Sequence, residues 1–218
     1  MIDSLITKLR RNYTVTSCKA GRLSTVRRRG MRICLNAYDI AGAGHLCTVE
    51  IRGILGLMRL ESVILTPFGK DMPVFSAESK HSMGKDSLTV ELGDTLLAPL
   101  PDGIREALRG VRSHYEDLPV PERQPRPFDD YILEESLAVK GPEVGLKKEV
   151  IARKYFECYM AQLTEAPTAD PEAKKAKTRE FAERLLDAGG PAVKALRRLL
   201  GAEETESLYF EEIFGCGW

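Results

Sequence analysis

The chain has 218 residues, 43% of them hydrophobic, with 32 Lys plus Arg balanced by 32 Asp plus Glu for a formal net charge of zero. That length supports one sizeable core, and the balanced charge argues against a general nucleic-acid binder, which carries a basic surplus. The cysteines (Cys18, Cys34, Cys47, Cys158, Cys216) are odd in number, form no CxxC and have no His at zinc-finger spacing from a pair, so neither a disulfide framework nor a metal site is expected, which fits a reducing compartment.

The opening "MIDSLITKLRRNY" lacks a continuous apolar stretch and predicts a short amphipathic helix rather than a leader. No apolar run approaches the roughly 18 residues that span a bilayer, so a cytoplasmic protein with no membrane partner is expected. "RRRG", Arg27 to Gly30, is a local basic cluster that suits a solvated strand end. Next come four strand candidates. "RGMRICLNAYD" alternates Met31, Ile33 and Leu35 with polar neighbours, the period of a half-buried strand. "GHLCTVEIRG", "LMRLESVILTP" and "MPVFSAESKH" follow, and the turn "SMGKD" leads into "SLTVELGD", with Gly84 supplying the backbone angles of a tight hairpin. Gaps this short leave no room for crossover helices, so an antiparallel meander is predicted. "AGAGH", Ala41 to His45, lacks a phosphate-loop context and is expected to be a hairpin loop.

The second half is helical. "DGIREALRGVRSHYEDL" places Ile104, Leu108, Val111 and Tyr115 at helical spacing with Asp102 as the expected N-cap. Four prolines between Pro119 and Pro127 predict an extended connection, and "YILEESLAVKG" a further strand. Helices are expected over "LKKEVIARKYFECYMAQL" and over "TADPEAKKAKTREFAERLLDAGG", the latter with Asp170 as N-cap, Pro171 at the first helical position and a Gly189-Gly190 stop. "PAVKALRRLLG" and "EETESLYFEEIFG" close the chain, with "GCGW" as an apolar end cap. Strands first and helices afterwards predict a single α+β domain over residues 1–218: one antiparallel sheet with helices packed on its faces.

Within this pattern two neighbouring apolar segments each carry an acid, Glu61 in "LMRLESVILTPF" and Glu78 in "PVFSAE". At "ESVILTPFGKDMPVFSAESK" and "SLTVELGDTLLAP" the sequence resembles the ferredoxin-dependent bilin reductases: "DMPVFSAE" matches the family's "(D)xPxFGxD" segment with Asp71, Pro73 and Phe75 in place. "VKALRRLLG" and "ESLYFEEIFG" are similar to the family's closing helices. The resemblance implies a three-layer α/β/α sandwich with a central antiparallel sheet and mainly C-terminal helices. Biliverdin, a linear tetrapyrrole, would lie between the sheet and those helices. It also implies no bound metal or flavin, with single electrons from reduced ferredoxin and protons from side chains to a bilin radical.

On that resemblance Glu78 falls at the central acid, usually Asp, and Glu61 where studied members carry a His; a facing pair would share a proton through like-charge repulsion. Glu50 lies near a third family acid, and Asp187 is the nearest substitute for a C-terminal acid replaced here by Gly189-Gly190. Phe75 and Ser76 would line the pigment, Arg197 and Arg198 would meet its propionates through the guanidinium fork, and the run Lys174, Lys175, Lys177, Arg179 would dock an acidic ferredoxin. The plainer alternatives are a strand residue pairing with Arg59 or Lys80 for Glu61 and solvated helix faces for Asp187, the arginine pair and the basic run. Three functions follow: a bilin reductase, a non-catalytic tetrapyrrole carrier on the same fold, and an unrelated α+β interaction domain.

Overall fold

The computed structural model describes residues 1–18, 25–28, 30–53, 57–122 and 125–217, so Arg29 of the basic cluster and Trp218 of the expected end cap lie outside the described residues. The strands are β1 (Val15–Ser17), β2 (Thr25–Arg28), β3 (Met31–Ile40), β4 (Gly44–Gly53), β5 (Met58–Pro67), β6 (Val74–Ser82), β7 (Lys85–Gly93) and β8 (Leu137–Lys140). They form one antiparallel sheet in the order β1-β3-β4-β5-β6-β7-β8, with β2 also paired to β3. The meander from β3 to β7 is the predicted one. The two short strands β1 and β2 are not foreshadowed in the sequence, because segments of three and four residues are too short to declare a period.

The β6–β7 connection is a two-residue hairpin in which Met83 (φ 50°) and Gly84 (φ 74°) both take positive φ, the geometry whose twist matches that of the flanking strands. Alternation along the strands then divides the apolar residues between two faces. Leu46, Val63, Leu65, Phe75, Leu88 and Val90 pack on one face with the helices α1 (Ile2–Asn12), α2 (Asp102–Ser113) and α3 (Pro142–Glu165). Ile33, Leu35, Cys47 and Val74 pack on the other with α4 (Pro171–Ala188), α5 (Pro191–Leu200), α6 (Ala202–Ser207) and the π-helical turn Leu208–Ile213. The result is the expected three-layer α/β/α sandwich. Cys216 of the tail is buried in the second core.

Two helix starts illustrate the local chemistry. At α4 the expected cap is in place: Asp170 Oδ1 accepts from Ala173 N at 2.8 Å, Pro171 opens the helix and Gly189 closes it in the left-handed conformation. At α2 the cap position belongs to Pro101, and Asp102 is the first helical residue. There its charge still complements the positive end of the helix dipole.

The "DMPVF" segment joins the two halves of the chain. Asp71 accepts from Leu97 N and Ala98 N, each at 3.0 Å, and from Lys174 Nζ at 3.2 Å. Lys174 is fully buried and also donates to Met72 O at 2.8 Å and Thr95 O at 2.6 Å. Burial lowers its pKa and Asp71 opposes that shift. Lys174 therefore fixes α4 to the β5–β6 connection and is not part of a docking surface. Its neighbours pair locally instead: Lys175 with Glu172, Lys177 with Glu180 and Arg179 with Glu183.

Candidate functional site

The sheet face toward α4–α6 carries an unusual group of polar side chains. Glu78 on β6 has Ser62 of β5 and Thr89 of β7 as its Cα partners, and Ser76 has Ile64 and Glu91. All of these share the face of Val74, which is buried in the second core. Arg126, from the proline-rich connection, reaches Glu91 at 2.7 Å and Asp129 at 2.8 Å and lies 4.3 Å over the Phe128 ring. The π-helical turn brings Tyr209 from the opposite layer. Arg179 sits 4.2 Å over Phe210, and Arg184 lies 5.7 Å from the Tyr131 ring.

The electrostatics centre on Glu78. It is half-buried, and its carboxyl has no hydrogen-bond partner among the described residues. Burial, then the neighbouring Glu91 charge, raises its pKa, while Lys80 and Arg126 pull it back. Loss of hydration penalises the charged form, so this carboxyl holds its proton to higher pH than an ordinary glutamate. Tyr209 is pushed up to about 12 by burial with Glu78 adding and Arg197 opposing, so it remains a neutral phenol. A protonated carboxyl and a phenol facing a partly apolar layer can donate protons or hydrogen bonds to a ligand held between sheet and helices.

Of the residues expected in the site, Glu78 and Ser76 lie on this face, and Arg197, although exposed, is within electrostatic reach of Tyr209. Glu61 is on the opposite face, 2.6 Å from Arg59 Nη2 and 3.4 Å from the Met1 amino group. Pairing between β5 and β6 sets even positions against even ones, Ser62 against Glu78 and Ile64 against Ser76, so an odd-numbered acid on β5 cannot face Glu78. Glu61 and Glu78 therefore do not form the facing pair that would share a proton, and Ser62 occupies the position across from Glu78.

Glu50 is the Cα partner of Glu61 on that same far face and pairs with Arg52 at 2.6 Å. Phe75 is a core residue there, with ring centroids 5.4 Å from Phe156 and 5.1 Å from Tyr159. Asp187 is exposed in the last turn of α4, and Arg198 is exposed on α5, so neither joins Glu78. Glu91, Arg126 and Tyr209 complete the site without having been singled out in the sequence. Glu91 alone carried a usable signal, since it alternates in phase with Thr89 in "SLTVELGD". Arg126 and Tyr209 arrive from segments whose position over the sheet only the tertiary fold defines.

No family model matches the chain, and no curated protein matches it. Among solved structures the chain superposes on selenomethionine-labelled phytochromobilin synthase from tomato, determined in complex with biliverdin, with a TM-score of 0.79 over 99% of this chain and 82% of that one. Sequence identity over the match is 10%. The two proteins share a fold, and that fold is the one implied by the sequence resemblance.

Proposed function

We propose that this chain is a ferredoxin-dependent reductase of biliverdin or a related linear tetrapyrrole, with Glu78 as its principal proton donor. The observation that carries this reading is the place of Glu78, half-buried on the sheet face toward the C-terminal helices where burial raises its pKa, in a fold shared with a protein solved with biliverdin bound. Reducing one carbon–carbon double bond consumes two electrons and two protons. Reduced ferredoxin supplies the electrons singly, and the protein times the protons.

A protonated Glu78 hydrogen-bonds the pigment and transfers its proton when an electron makes the bilin more basic. The carboxylate left behind is offset by Lys80 and Arg126, the two cations that already lower its pKa, and it recovers a proton from water. Tyr209 keeps its proton and holds the pigment as a hydrogen-bond donor. Arg197, exposed near Tyr209, meets a propionate at the rim.

One observation favours the carrier as a second reading: Glu61 and Asp187 do not join Glu78, and Ser62 stands across from it, so neither of the two further acids named in the sequence supports it. An anaerobic absorbance time course with biliverdin, ferredoxin and an electron source separates the two. Bound-pigment bands that appear and then shift as double bonds are lost support the reductase; bands that appear and stay fixed support the carrier. Glu78→Gln is expected to retain the bound spectrum and slow reduction by roughly 100-fold or more, the usual contribution of a positioned proton donor. Unchanged turnover in that variant would remove Glu78 from the mechanism.

A further inference from the structure

The β3–β4 hairpin gathers three metal-ligating side chains away from Glu78, roughly 16 Å along the sheet by strand spacing and rise. Asp39 and His45 are direct Cα partners. Cys18 continues the line of β1, its N–H bonded to Ala37 O at 2.9 Å. The thiol, carboxylate and imidazole ligand atoms all lie within 4.8 Å of one another. Residues 18, 39 and 45 have no motif spacing; antiparallel pairing of three strands assembles them.

The imidazole is already oriented as a ligand. His45 Nε2 lies 2.8 Å from Glu212 O. A carbonyl only accepts, so Nε2 carries the hydrogen and Nδ1 of the neutral ring holds the free lone pair. Burial favours that neutral ring. A hydrogen bond of this kind on the remote nitrogen is what fixes metal-binding imidazoles in proteins. Gly215 packs against the same ring: a Cβ there would come within 2.4 Å of Cγ and 2.8 Å of Nδ1. Any residue with a side chain would crowd the nitrogen that glycine leaves clear.

One sulfur, one nitrogen and one oxygen donor suit a borderline cation such as zinc. Bonds of about 2.0–2.3 Å in a tetrahedron put neighbouring ligand atoms roughly 3.3–3.8 Å apart. Closing to that distance takes only a small swing of Asp39, whose side chain is exposed. Asp39 also lines a groove of about 380 Å³ with Thr16, Gly42, Phe68 and Gly69, which offers room for water or a small ligand beside the cluster.

We propose that Cys18, Asp39 and His45 form a binding site for a zinc-class divalent cation, with its fourth position open to this groove. The thiol proton leaves to solvent as the metal binds. The ion joins β1, β3 and β4, and through Glu212 O it steadies the π-helical turn that carries Tyr209.

The test is titration of chelator-treated full-length protein with Co²⁺, followed by the near-ultraviolet thiolate-to-cobalt charge-transfer band. One equivalent is expected to saturate the band, and Zn²⁺ to displace it. Cys18→Ser should abolish the band, Asp39→Asn should weaken binding by at least roughly tenfold, and Cys158→Ser, on α3, should change nothing. Far-ultraviolet circular dichroism establishes that each variant is folded, and Asp39→Asn at an exposed position keeps the test decisive if Cys18→Ser misfolds. Zn²⁺ should raise the unfolding temperature of the parent protein and not of Cys18→Ser. Absence of the band, its survival in Cys18→Ser, or its loss in Cys158→Ser overturns the site.

Discussion

Glu78 and Glu61 show how far a single strand position decides chemistry. Both are glutamates on neighbouring antiparallel strands, yet one faces α4–α6 and the other an arginine beside α1. That Glu78 enters a partly buried setting was legible from its place after "PVFSA". The face taken by Glu61 was not legible, because β5 and β6 are joined by the irregular segment 68–73 instead of a countable hairpin, and "LMRLESVIL" does not alternate cleanly. The pH dependence of stability separates acids in these two kinds of setting. For Glu78 the folded pKa lies above its ordinary 4.5, so between those values the folded state holds the extra proton and stability falls as pH rises through that window. Asp86 behaves in the opposite sense: hydrogen bonds from Lys148 and then His81 lower its pKa below 3.8, so its contribution is present above that value and is lost as pH falls through the folded pKa. Urea midpoints of the parent protein and Glu78→Gln, compared from acid to neutral pH, should therefore move in the variant's favour as pH rises. A difference that stays constant with pH would contradict the raised carboxyl.

The elements were easier to foresee than their contacts. The helix over Pro171–Ala188 follows from an Asp-Pro start and a Gly-Gly stop, and the hairpin at Met83-Gly84 from a turn glycine between alternating runs. The tertiary use of α4 was hidden. Lys174 sits in a run of basic residues and looks solvated, while its three oxygen partners come from residues 71, 72 and 95, which no local pattern links to it. The contact that sets α4 over the sheet is equally remote. A Cβ on Gly93 at the end of β7 would lie 2.6 Å from the Phe181 ring, with that ring packed edge-on against Phe214 at 5.9 Å. Gly93→Ala must push α4 away from the sheet, and overpacking of this kind costs about 1–3 kcal/mol. The expected outcome is a lower urea midpoint and, on the proposed function, weaker retention of biliverdin. Unchanged values for both would mean that Phe181 repacks freely and does not set the spacing of this layer.

At the scale of the whole molecule, the zero net charge and the local pairing of Lys175, Lys177 and Arg179 leave little long-range attraction for an acidic partner. On the proposed function, changing Lys175 and Lys177 to Gln should accordingly leave the salt dependence of ferredoxin-driven reduction nearly unaltered. A marked flattening of that dependence would restore this helix face as the docking surface. The α+β order was visible in the sequence as strands followed by helices, and that order also fixes a sequence of events in time. The helices α1–α3 are complete once residue 165 has been made, whereas the helical cover over Glu78 begins only at Pro171. A chain emerging from the ribosome N-terminus first thus holds Ile33, Leu35, Cys47 and Val74 open to solvent until its last quarter is released. The sheet face that carries Glu78 is the last to be covered, and on the proposed function a pigment present during synthesis would meet it as an open surface.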